Sequence, residues 1–179
     1  MLILMGENIV ALLIRYLILI LLGLRNLFLF YAIFTPLSIY PVLGILDLIY
    51  DEAYLIEGTS KIFFNDIYAD IIPACIAGSA YYLLLILNLT TPMKIKRRLK
   101  SILFLFGSFL VINILRIVIF GILFSEGYKY FDLAHRSVWY FGSTILIVLI
   151  WFWNVRVFNI KEVPVYSDVK GILNSIKKW

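Results

Sequence analysis

With 179 residues, 63% of them hydrophobic and only 15% charged, the chain is too apolar for a water-soluble domain and reads as an integral membrane protein. The formal net charge of +5 comes from basic residues gathered between apolar runs, a topological signal rather than a call for nucleic acid. One cysteine and one histidine exclude an intramolecular disulfide and leave little to ligate a metal, so neither a metal nor a cofactor is expected.

The first apolar run, about residues 9–24, is interrupted by Arg15 and followed by Arg25, which makes it short for a span of about 20 residues. Glu7 stands where a signal peptide carries basic residues, and no small-residue cleavage site follows, so this segment is expected to stay in the mature protein. Arg15 is placed to snorkel to an interface. The second run, about 27–50, contains Pro36 and Pro41, which predict a bent helix, and Asp47 near its end is a partner within reach of an arginine.

Residues 51–70 carry five acids against the single base Lys61 and belong outside the membrane core. Ile62, Phe63, Phe64, Ile67 and Tyr68 recur at helical spacing, which predicts a short helix lying on the outer surface. The third run, about 71–89, ends in TPMKIKRRLK, and five bases in one short stretch place that end in the cytoplasm. The Asn88-Leu89-Thr90 glycosylation match therefore falls on the wrong side and is discounted.

The fourth run, about 102–124, returns outward with Asn113 and Arg116, and the fifth, about 137–158, comes back to a basic tail over 159–179. The expected fold is one all-α membrane domain over 1–179, a bundle of about five spans, or four if the first run only lies along the interface. Its amino terminus is outside and its carboxyl terminus inside.

Three residues with chemistry fall at one level of this topology. Cys75 lies about one helical turn below the outer end of its run, Arg116 about two turns below the end of its own, and His135 at the rim. A lone cysteine in an apolar helix is ordinarily inert packing. An arginine inside a span costs at least about 2.5 kcal/mol and so faces a partner or a cavity, with Asp47, Asp66 and Asp70 as structural alternatives.

Beside Arg116 a thiolate is favoured, and the same guanidinium can stabilise an oxyanion. His135 can take and return protons near neutral pH. Asn113, three residues before Arg116, shares its helix face, and Gly78, one turn after Cys75, permits close approach of a helix or a substrate backbone. Arg136 competes with His135 as the third polar group.

ACIAGS at the head of one span, Asn113 to Arg116 as N-x-x-R in the next, and a histidine before the following one resemble the exosortase and archaeosortase family of membrane cysteine transpeptidases. The likeness covers Pro73 to about Gly142, within an expected catalytic core of about 71–142, and is to a short, archaeosortase-type member. It implies Cys75 as nucleophile, Arg116 as the required arginine, and His135 or Arg136 at the third position. It implies an active site on the extracytoplasmic side of the cell membrane. Its substrates would be secreted proteins ending in a recognition motif, a membrane helix and a basic tail, with transfer to a lipid or other acceptor. The alternative is a non-enzymatic membrane protein, such as a transporter component or assembly subunit, in which Cys75 packs and Arg116 is paired.

Overall fold

The computed structural model describes residues 2–170, so Lys177, Lys178 and Trp179 of the basic tail lie outside the described residues. Helix α1 covers Leu2–Gly23, and a tight turn at Arg25–Leu27 with left-handed Asn26 and Leu27 leads into α2, Phe28–Tyr50. Three short strands follow: β1 Ala53–Leu55, β2 Lys61–Phe64 and β3 Ile67–Asp70. The chain then forms α3 Pro73–Ile76, α4 Gly78–Leu89 and the long α5 Ile95–Ser125. Last come α6 Phe131–Ser137, a π-helical turn at Val138–Gly142 and α7 Ser143–Val157.

Among the described residues, three helical runs are long and apolar enough to cross a membrane: Phe28–Tyr50, Ile95–Ser125 and the continuous Phe131–Val157. Val10–Gly23 and Pro73–Leu89 are apolar but shorter. Helix α2 runs through Pro36 and Pro41 without a break. Its Phe30 and Phe34 meet Tyr81 of α4 and Phe106 of α5 in an aromatic cluster, with the Phe34 and Tyr81 rings stacked at 3.6 Å between centroids. Tyr81 also meets Phe109 edge-on, and both are essentially inaccessible.

The surface helix expected over 51–70, and with it the all-α description, is corrected to a three-stranded antiparallel sheet in the order β1-β2-β3. The pattern along β2 has period two: Ile62 and Phe64 are fully buried, whereas Lys61 is exposed and Phe63 only half-buried. Phe64 packs on Tyr50 of α2 and reaches Gly121 of α5, so the sheet covers the ends of those helices. Both hairpin turns have local chemistry. Asn65 and Asp66 adopt positive φ values of 45° and 58°, the two-residue turn that suits a twisted hairpin, and Gly58 supplies φ 72° in the other.

At the opposite end of α4 the basic cluster does more than mark topology. The last carbonyls of a helix have no intrahelical donor. Here Thr90 Oγ1 donates to the Ile86 carbonyl (2.7 Å), Thr91 Oγ1 to Leu87 (2.6 Å), Arg98 Nη1 to Asn88 (2.6 Å) and Arg15 Nη1 to Leu89 (2.9 Å). Arg15 is thus not a snorkelling residue: its other amine pairs with Asp168 at 2.9 Å, tying α1 to the segment after α7. Two cations at a helix C-terminus also oppose the negative end of its dipole.

Deeper in the bundle, Asn88 donates to Ser101 Oγ (2.6 Å) and Ser101 donates to Asn154 Oδ1 (2.9 Å), joining α4, α5 and α7 through side chains with no solvent access. Ser101→Ala removes one hydroxyl that serves as both acceptor and donor, and leaves two buried amide groups unpaired. We expect it to lower stability by about 1–3 kcal/mol, measured by thermal unfolding in detergent micelles, and Asn88→Ala to cost a similar amount.

Candidate active site

Cys75 sits on α3, a single turn opened by Pro73 at its first position, where the missing N–H costs nothing. The Cys75 amide donates to the Ile72 carbonyl at 2.8 Å. The turn stops because Ala77 is left-handed, with φ 57° and ψ 46°, a conformation that costs a residue with a Cβ about 1–2 kcal/mol. The run read from sequence as one span over 71–89 is therefore two helices meeting at a strained alanine. Strain of this kind concentrates at functional sites.

The break leaves the Cys75 and Ile76 carbonyls without donors from the next turn, and α5 supplies them. Asn113 Nδ2 donates to Cys75 O at 3.0 Å and to Ile76 O at 3.4 Å, while Arg116 Nη2 donates to Cys75 O at 3.0 Å. One carbonyl thus receives two side chains that the i, i+3 spacing sets on one helix face.

Arg116 Nη1 donates to Ser143 Oγ at 3.1 Å, and that hydroxyl lies 3.4 Å from the Val138 carbonyl. Ser143 is the first residue of α7, directly after the π-helical turn; a π turn shifts the helix register and recurs at functional sites.

His135 and Arg136 come from α6. The imidazole stacks on Phe131 (centroids 5.3 Å, planes 10° apart) and meets Phe120 edge-on at 5.1 Å, so aromatic contacts fix its plane. Arg136 lies 3.7 Å from Asp132 one turn earlier, both well exposed, a pair that contributes little. A cavity of about 650 Å³ brings Cys75, Arg116, His135 and Arg136 onto its walls, together with Asp70 at the end of β3.

The other two residues named from sequence lie off that wall. Asn113 is buried behind Cys75, holding its backbone. Gly78 admits a close neighbour, and the neighbour is Tyr31 of α2: a Cβ there would fall 2.8 Å from the ring. Asp47, Asp66 and Asp70 form no ion pair with Arg116 among the described residues, and Asp47 instead accepts the Ala53 amide at 3.1 Å. No group of three or more His, Cys, Asp or Glu that could hold a metal is gathered among the described residues.

Ser143 and the strand β3 were missed from sequence. A serine within the FGST run was the one visible signal for the first, and the Asn65-Asp66 turn for the second. Comparison with protein-family models, with curated proteins and with solved structures finds no match.

Ala77 offers a direct test of the break. Ala77→Gly relieves the left-handed strain, whereas Ala77→Val places a β-branched side chain in a region it almost never occupies. In thermal unfolding in micelles the glycine variant is expected to match or exceed the parent by up to about 1 kcal/mol, and the valine variant to fall below it by at least that amount.

Proposed function

We propose that the protein is a membrane-embedded cysteine peptidase or transpeptidase that works through a thioester. The observation that carries this reading is that one cavity is walled by a thiol, a guanidinium without an acidic partner among the described residues, and an imidazole. In the reaction, His135 takes the Cys75 proton and the thiolate adds to a peptide carbonyl carbon. The resulting oxyanion is stabilised by Arg116. Collapse breaks the C–N bond, the imidazolium gives its proton to the departing amine, and an acceptor amine or a lipid nucleophile then displaces the thiol from the thioester.

Two of the five N–H donors of Arg116 serve the Cys75 carbonyl and Ser143, which leaves three for the developing charge. In the matching topology the chain spans the membrane about five times, with the two shorter apolar helices among the spans and the cavity on the extracytoplasmic side. The substrates are secreted proteins with a C-terminal motif, membrane helix and basic tail.

A second reading has its own support: both hydrogen bonds of Arg116 are made within the chain, as a purely structural arginine would make them. Variants separate the two. We expect Cys75→Ala to abolish processing of a tagged substrate in a deletion strain while the protein accumulates at its normal level. His135→Gln should lower processing by about 10²-fold or more. Arg116→Lys keeps the charge but loses the two-pronged geometry, and should retain folding with strongly reduced turnover. Full processing by Cys75→Ala sinks the peptidase reading, and loss of protein without loss of specific activity in Arg116→Lys supports the structural one.

A further inference from the structure

The sheet has two edges, and one of them, β3, borders the cavity. Register pairs Lys61 with Asp70, Ile62 with Ala69, Phe63 with Tyr68 and Phe64 with Ile67. The Ile71 amide donates to the Ser60 carbonyl at 3.0 Å, so 71 and 60 form a hydrogen-bonded pair. In an antiparallel ladder such pairs alternate. Ala69 and Ile67 therefore turn their backbone groups toward β2, and Tyr68 and Asp70 turn theirs away.

The Asp70 carbonyl is taken by the Ile72 amide at 3.1 Å, which leaves the Tyr68 N–H, the Tyr68 C=O and the Asp70 N–H facing outward. By the same parity, set by Ile56 N–H donating to Lys61 O at 2.9 Å, the outward groups of β1 belong to Ala53 and Leu55. There the Ala53 amide is capped by the Asp47 carboxylate, and β1 lies against α2. Both edges keep outward backbone groups, but among the described residues only the β3 edge lines the cavity.

The β3 edge faces the cavity. Five consecutive residues, Tyr68 to Ile72, line it, and successive side chains of an extended chain point to opposite faces. Only the edge is common to all five. The same wall continues through Ala74 to Cys75; the rest of the lining is mostly apolar, with Ile117, Phe120 and Phe124 of α5 and Trp139 and Tyr140 of the π turn, and carries Arg116, His135 and Arg136 as its polar groups. Unpaired backbone groups beside an apolar channel are what an extended peptide satisfies: main-chain bonds give affinity and alternate side chains fill the pockets. An exposed edge without such an occupant invites unwanted pairing.

We infer that the free edge of β3 docks an extended, apolar segment of another protein, which joins the sheet as a fourth strand and carries its backbone along the cavity to Cys75. This deepens the peptidase reading and rests on it for the use made of the docked strand, though the docking itself needs no chemistry at the thiol.

The test joins a synthetic acetylated pentapeptide, four valines and a cysteine activated as a mixed disulfide, to Cys75 of the full-length protein in micelles, and follows amide hydrogen exchange over 66–72. Strand addition slows exchange at Tyr68 and Asp70 by about tenfold or more and leaves Ala69, already bonded to β2, unchanged. The same peptide with its valine amides N-methylated gives no slowing. Tyr68→Pro removes an outward N–H without touching the ladder to β2, and should abolish the slowing at Asp70.

Equal effects from both peptides, or tethering without slowing, each overturn the docking proposal. So does protection of Tyr68 and Asp70 in the untethered protein that grows with its concentration, because the edge then pairs with a second copy. No turnover enters these measurements. Slowed exchange together with full processing by Cys75→Ala would leave the docking strand standing and remove the peptidase reading.

Discussion

The carbonyl of Cys75 is the atom on which this end of the molecule depends. A helix that stops at Ala77 leaves the carbonyls of its last turn without intrahelical donors, and a half-buried acceptor left unpaired is costly. The chain meets the deficit with side chains from one neighbouring helix. Asn113 and Arg116, one turn apart on α5, donate to the same oxygen, and Arg116 passes the constraint on to Ser143 of α7. The position of the thiol is therefore fixed by three helices rather than by the turn that carries it, and the strain at Ala77 is held in place by those bonds.

The other end of α4 obeys the same rule with different residues. Its last four carbonyls are met by Thr90, Thr91, Arg98 and Arg15, and Arg15 in turn by Asp168. Between the two polar ends lies the ring cluster around Tyr81, whose large faces need no donors and give the helices a close-packed middle. The short, broken α3–α4 unit is thereby pinned at both ends by arginines belonging to other elements. Its own sequence, without a charged residue from Pro73 to Leu89, could not do this alone.

Sequence reasoning found what periodicity and rarity make visible. The apolar runs stand out by length, Arg116 by being a cation within one, and Asn113 by its spacing from Arg116; four of the six residues so chosen line one cavity. What escaped it depends on partners distant in the chain. Arg15 and Asp168 are 153 residues apart, and nothing near either one announces the pair. The left-handed Ala77 escaped because the flexible residue beside it, Gly78, is the one a reader would choose for such a conformation, yet that glycine is needed where Tyr31 crowds it. The sheet was missed for a different reason: Ile62, Phe63, Phe64, Ile67 and Tyr68 satisfy helical and strand spacing alike, and the deciding signal, two turn-forming residues at Asn65-Asp66, sits between them.

That same sheet alters how the intramembrane arginine is understood. An arginine whose sole duty was to hold the Cys75 backbone would need only the two bonds it makes, and a buried amide such as Asn113 makes comparable bonds without the cost of a charge. In the proposed reaction the charge of Arg116 is used as well. Arg116 opens onto a cavity whose near wall is an unpaired strand edge, where an incoming peptide would present carbonyl groups beside the thiol. Anchoring the turn keeps the guanidinium beside Cys75 while its remaining donors stay available, so in the proposed reaction the structural bond is a condition for the chemical one. In that proposal the bundle supplies the anchors and the sheet the approach.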